Sequence, residues 1–212
     1  MEDVLGVYTR PYDPQRPQVC LDETSRQLLA PVTPPRPVAP GRPARQDYEY
    51  ERRGVCNLFL VCEPLAGWRD VMVSARRTRI DWAHCIKELV DVCYPDAEQI
   101  VLVHGNPEHP HARVAGRGVR AGRGQAAGRP AGRPAGAALH PKHGSWLNMA
   151  EIELAVLAGQ CLDRRLADQA TLQREVAAWQ AARNRAGRGV NWRFTTEDAR
   201  IKLKHLYPAI QD

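Results

Sequence analysis

Val55-Cys56-Asn57-Leu58-Phe59-Leu60-Val61-Cys62-Glu63 reads as a strand, and Pro64-Leu65-Ala66-Gly67 turns it into Trp68-Arg69-Asp70-Val71-Met72-Val73-Ser74, where Val71 and Val73 alternate with other residues. That pattern is a β-hairpin. Working outward, Val19-Cys20-Leu21 is a short apolar run ending in Asp22-Glu23, which reads as a buried strand with acids at its C-terminal end. Residues 1–16 read as mostly extended, and residues 31–45 as a proline- and arginine-rich loop. On the other side of the hairpin, Thr78 and Asp81 can cap a helix in which Trp82, Ile86, Leu89 and Cys93 share one face. Pro95-Asp96 ends that helix, and Gln99 to Val103 reads as a further strand. Leu154, Leu157 and Cys161 mark a helix face starting near Asn148, and Leu172, Val176 and Trp179 mark another. Thr195 and Thr196 begin a last helix that reaches about Tyr207. A hairpin, then a helical crossover to another strand, then helices, implies an α/β layer with helices packed on a mixed sheet.

The 212 residues suffice for one ordinary domain or two small ones, and 43% hydrophobic with 25% charged residues is ordinary for a globular chain. No apolar run approaches the ~18–20 residues of a membrane span, and no basic-then-apolar leader is present, so the expected location is the cytoplasm. The six cysteines form no CxxC pair, which favours buried free thiols over a disulfide frame or a zinc site.

The net charge of +6 is unevenly placed. Pro107 to His140 holds six arginines against one acid, Glu108, and so contributes +5 of it. Bulk charge is therefore weak evidence for nucleic-acid binding by the rest of the chain. The same segment has seven of the sixteen glycines, nine alanines and no aromatic residue. Such a composition offsets little of its ordering entropy, so residues 107–140 are expected to be disordered. A flexible linker and an arginine–glycine nucleic-acid tail both fit that composition.

Acids near strand ends can converge at one edge of an α/β sheet and hold hard divalent cations. Asp22 is one candidate. Glu151, in the first turn of a helix after Asn148-Met149-Ala150, is another. On spacing alone, solubility and helix-dipole roles explain both acids at least as well.

The motifs add a family. Cys20-Leu21-Asp22-Glu23, Gly41-Arg42-Pro43-Ala44-Arg45, Asn57-Leu58-Phe59 and Pro64-Leu65-Ala66-Gly67-Trp68 resemble bacterial insertion-sequence transposases related to the mariner group. So do Pro141 through Glu153 (PKHGSWLNMAEIE), Gln160-Cys161-Leu162-Asp163-Arg164-Arg165 and Trp192-Arg193-Phe194-Thr195-Thr196. The resemblance covers residues 1–106 and resumes at 141. It implies a ribonuclease H-like core with a DDE triad, binding two Mg²⁺ or Mn²⁺ ions and performing DNA cleavage and strand transfer. It implies Asp22 as the first catalytic, metal-holding acid and Glu151, in an Asn-x-x-Glu motif, as the third. The implied partners are DNA at the terminal repeats of a mobile element, and a second copy or an intact transposase. The implied setting is bacterial cytoplasm, on the nucleoid when DNA-bound, with no membrane.

The chain departs from the family at the second acid. The family closes its fourth strand with Asp-Asn-Leu-Asn-Thr-His, whereas this chain reads His104-Gly105-Asn106-Pro107-Glu108-His109-Pro110-His111. Asn106 matches the family asparagine, so Gly105 stands where the acid would be, and glycine has no ligand atom. His104 is poorly aimed as a substitute, because neighbours on a strand face opposite sides. One extra base before codons for Leu-Asn-Thr-His gives Pro-Glu-His-Pro. The same shifted frame turns Tyr-Thr before the Pro-Lys-His-Gly motif into Leu139-His140. Residues 107–140 therefore read as an out-of-frame stretch between residues 1–106, the first part of the core, and residues 141–212, its helical part with the third acid. Loss of the family's helix and strand there is expected to bare the edge of the fourth strand, unless the segment loops out and the flanks still dock. No helix-turn-helix pattern precedes Asp22, which suggests a second frame of a two-frame element or a truncated remnant. The expected outcome is an inactive copy. The alternative is a non-catalytic remnant acting only through protein–protein or non-specific nucleic-acid contacts, with Arg36, Arg42 and Arg45 as possible phosphate contacts.

Overall fold

A computed structural model describes residues 1–105, 137–139 and 145–206. Five strands form one sheet: β1 (Gln18–Pro31), β2 (Tyr50–Glu63), β3 (Trp68–Ser74), β4 (Val101–His104) and β5 (Ala137–Leu139). Their order is β3-β2-β1-β4-β5. The β1/β2 and β2/β3 pairs are antiparallel, and the β1/β4 and β4/β5 pairs are parallel. Around the sheet lie α1 (Glu2–Tyr8), α2 (Arg79–Glu88), α3 (Ala150–Gln160), α4 (Gln169–Ala186) and α5 (Thr196–Lys202).

Strand alternation sorts the core into two layers. Val19, Leu21, Phe59, Val61 and Leu102 face Trp82, Cys85, Ile86 and Leu89 of the α2 layer. Cys20, Leu58, Leu60, Val101 and Val103 face the opposite layer, with Val4 and Leu5 of α1, Leu157 of α3 and Leu172, Val176 and Trp179 of α4. Both faces of the central strands are covered, which is why Leu58 through Cys62 is apolar at every position. Helix α2 starts with the expected reciprocal cap between Thr78 and Asp81, and α5 starts with the same arrangement between Thr195 and Asp198. Among the described residues no helix is long and apolar enough to cross a membrane. All six cysteines are free, five of them buried and Cys93 half-buried.

Three expectations change. Residues 1–16 are not mostly extended: residues 2–8 form α1, which buries Val4, Leu5, Val7 and Tyr8. So short a helix owes its stability to docking rather than to propensity. Asp22 is not at the end of its strand. β1 runs on to Pro31 because β2 pairs with it from Cys20 to Pro31, so Asp22 lies within the strand, at the level where β4 stops. The edge of β4 is not bare, because Ala137–Leu139 pair with it in parallel. The rest of the 107–140 segment, including Glu108, lies outside the described residues.

Finally, the flanks dock. Arg26 on β1 donates to the carbonyls of Leu162 and Arg164, and the Leu29 N–H donates to Leu166 O at 2.8 Å. The loop after α4 also lies against the hairpin turn, with the Val190 N–H donating to Pro64 O at 2.9 Å. That approach requires Gly67, whose φ is +66° and where a Cβ would meet Gly187 O at 2.6 Å.

Candidate catalytic site

The sheet brings Asp22 and Gly105 side by side. Leu21 on β1 is in register with His104 on β4, so the next residue of each chain is adjacent. Alternation along β1 and β4 turns Asp22 and residue 105 toward the layer of Cys20 and Val103, the side on which α3 packs. His104 faces the other way, buried against Trp82 with ring centroids 6.5 Å apart. It is not a replacement ligand on the Asp22 face.

Glu151 comes to the same place from the first turn of α3. The Asp22 and Glu151 side chains are in hydrogen-bond contact. Asn148 fixes the meeting. Its Nδ2 donates to Leu21 O at 2.9 Å and to Asp22 Oδ2 at 3.2 Å, while its Oδ1 accepts from the Ala150 N–H at 3.2 Å. One fully buried side chain thus satisfies a helix-start donor and orients a carboxylate. Asp22 Oδ1 also accepts from the Glu23 N–H at 2.8 Å.

Burial pushes the Asp22 carboxyl above its ordinary value of 3.8. Hydrogen bonds from Glu23 N–H, Glu151 and Asn148 work against that rise without cancelling it. Asp22 is half-buried and Glu151 is exposed, so the two carboxyls sit at the boundary between the sheet and solvent, where their oxygens are open to a cation.

Two groups of residues that sequence reading missed support this corner. The buried Tyr8 hydroxyl donates to Leu147 O at 2.7 Å and accepts from the Met149 N–H at 3.3 Å, clamping the turn that carries Asn148. Glu153, one half-turn beyond Glu151, is buried and accepts from Arg69 on β3 at 3.2 Å and from Arg183 on α4 at 2.8 Å. Arg69 also donates to Arg188 O at 2.9 Å. An arginine at the start of a strand, directly after Trp68, was the visible signal for this network, but its partner is 84 residues away. By contrast, Arg36, Arg42 and Arg45 stand on the exposed loop beyond the far end of β1. At ~3.3 Å per residue that is about 30 Å from Asp22, so they are no part of this site.

Among the described residues no cluster of three or more His, Cys, Asp or Glu side chains is placed to hold a metal. The arrangement supplies two carboxylates, Asp22 and Glu151, with Gly105 beside Asp22.

Residues 17–173 match the DDE superfamily endonuclease family. No curated protein matches the chain. Among solved structures it is similar to the Mos1 mariner paired end complex with Mn, with a TM-score of 0.51 and 15% identity, covering 85% of this chain and 52% of that one. The chain thus spans about half the length of that structure's chain. At that identity the likeness speaks for the fold, and the fold is the ribonuclease H-like mixed α/β arrangement expected from the sequence.

Proposed function

Because the chain belongs to the DDE superfamily endonuclease family, we propose that it is the catalytic core of a mariner-related insertion-sequence transposase that no longer cuts DNA. One observation carries this reading: Asp22 on the central strand and Glu151 at the start of α3 come together where β4 stops, and the residue beside Asp22 is Gly105. In this reading Asp22 is the first acid of the triad and Glu151 the third, with Asn148 setting the angle between them. The partners are the DNA ends of a mobile element and a second copy or an intact transposase. The proposed setting is the bacterial cytoplasm.

The metal requirement tests the reading on chemistry. A pair of divalent cations clamps the attacking and leaving oxygens of a phosphodiester when both are bound. Mg²⁺ or Mn²⁺ prefers carboxylate oxygens, and two cations a few ångströms apart need a bridging acid to offset their repulsion. Asp22 and Glu151 suit a single cation. With glycine at 105 they do not fit a pair, so the chain lacks the means to assemble the two-ion clamp.

The experiment compares plasmid nicking in Mg²⁺ or Mn²⁺ by three purified proteins. These are the chain as it stands, its Gly105→Asp form, and a form with the 107–140 frame restored that also carries Gly105→Asp. Only the last is expected to nick. Robust nicking by the chain as it stands, abolished by Asp22→Ala, would show that two acids suffice and overturn the inactive reading.

A further inference from the structure

Trp146 is the one residue of the Ser145–Leu147 turn whose large apolar side chain stays out of the core. It is 43% exposed, whereas Leu147 and the following Asn148 are fully buried. It is also not loose. Its ring stacks on Trp192 at 6.4 Å with 27° between planes, and Phe194 meets it edge-on at 5.7 Å. Trp192 is backed in turn by Tyr8 at 5.2 Å and pinned by its own Nε1 donating to Phe194 O at 2.8 Å. Four aromatic rings from α1, the turn before α3 and the segment before α5 therefore form a braced stack with a solvent-facing end.

The surroundings are cationic. Lys202 Nζ lies 5.6 Å from the Phe194 ring centroid, and Arg193, between the two stacked aromatics in sequence, is exposed. Residues 192–205 carry four cations (Arg193, Arg200, Lys202, Lys204) against two acids (Glu197, Asp198). Asp198 caps α5 and pairs loosely with Lys202 at 3.8 Å, and Arg200 pairs with Glu2, while Arg193 and Lys204 make no ion pair among the described residues. Trp146 is also two residues from Asn148, at most ~7 Å of backbone, and Asn148 holds Asp22.

We propose that the outer face of Trp146 is a stacking platform for an unpaired base at a DNA end held against Asp22 and Glu151, with Lys202 beside the stack for an adjacent phosphate. The proposal rests on the transposase reading and adds to it a binding contact that needs no cutting. A braced aromatic loses little freedom when a base stacks on it, and a base brings both a π face and adjacent negative charge. An apolar protein partner would cover the tryptophan but strip water from Lys202 and Arg193 with nothing in return, so a nucleic acid fits the patch better.

The test is fluorescence anisotropy with the full chain in EDTA. It uses three labelled duplexes: one blunt, one with a short unpaired strand end, and one with the same unpaired end made abasic. Tighter binding of the duplex with unpaired bases than of the other two is expected. Trp146→Ala should weaken that one by five-fold or more, since a stacked base is worth ~1–3 kcal/mol and ~1.4 kcal/mol is ten-fold. Its binding to the blunt duplex should not change, and Trp146→Phe should keep most of the preference. Equal weakening of all three duplexes, no preference for bases over abasic sites, no DNA binding at all, or an effect of Trp146→Ala on self-association alone would each overturn the platform. If Trp146→Ala does not fold, the contrast between bases and abasic sites in the unaltered chain decides the question. Failure of the transposase reading shows separately, as absence of nicking by the frame-restored Gly105→Asp form.

Discussion

Asn148 at the start of α3 reaches across to β1 and donates a hydrogen bond to Asp22 Oδ2 at 3.2 Å, spanning 126 residues of sequence. The same amide group donates to Leu21 O and caps Ala150. Asn148→Ala therefore leaves a buried carbonyl and a helix-start N–H without partners. A loss of about 2–4 kcal/mol is expected, from one or two unsatisfied buried groups. Thermal or urea unfolding checks it. Asn148→Ala melting within a degree of the parent would mean that the contact does not hold α3 to the sheet.

The Arg69–Glu153–Arg183 group predicts an unequal pattern. Glu153→Ala strands Arg69, which is 1% exposed, without its carboxylate. Breaking a buried pair from one side costs about 3–5 kcal/mol, whereas replacing both partners with apolar residues is often neutral. Arg69→Met combined with Glu153→Leu should therefore be milder than Glu153→Ala alone. Urea midpoints of the three proteins measure it. A double variant at least as unstable as the single one would show that the charges contribute net stability.

Asp22 gives a pH signature of definite sign. Its folded-state pKa lies above the ordinary 3.8, so between those two values the folded chain binds more protons than the unfolded chain. Stability then falls as pH rises through that window, and the burial penalty is fully present above the folded pKa. Asp22→Asn removes the penalty. It should melt higher than the parent at neutral pH, and the difference should shrink as pH drops to 3.8 and below. A gap that is constant across pH, or widest in acid, would contradict burial as the dominant influence on this carboxyl.

How far the sequence revealed this molecule depended on distance along the chain. The hairpin from Val55 to Ser74, the Thr78–Asp81 cap and the Leu172, Val176, Trp179 face were all readable, because turns, caps and periodicity act over a few residues. The second half of β1 was not: Thr24 to Gln27 is polar, and it is a strand because Leu58 to Val55 on β2 pair with it. Helix α1 escaped for the same reason, since its seven residues are helical against a core they cannot announce locally. At the site, neither spacing nor composition distinguished Asp22 and Glu151 from ordinary surface acids. Their assigned roles came from resemblance, and the structure adds that their side chains touch. Tyr8, Arg69 and Glu153 were invisible because each matters through a partner far away in the chain.

The last expectation concerns what glycine at 105 removes. Loss of the family's strand ahead of Glu151 would be expected to displace that acid. In the structure Glu151 already touches Asp22, held by Asn148 from below and by the turn that Tyr8 clamps. Residue 105 follows His104, which is in register with Leu21, and alternation turns it to the face of Val101 and Val103, where α3 lies. A carboxylate there would join two that are already close. Without metal, a third acid adds like-charge repulsion, so Gly105→Asp should melt lower than the parent in EDTA. With Mn²⁺ it should recover and pass the parent, because a ligand that binds only the folded chain raises its stability with concentration. The gain should vanish in Gly105→Asp combined with Asp22→Ala. Melting curves across a Mn²⁺ series separate ion binding from cutting. A parent chain that gains as much from Mn²⁺ as the Gly105→Asp form would show that Asp22 and Glu151 alone make the metal site, and that residue 105 is not where the third acid belongs.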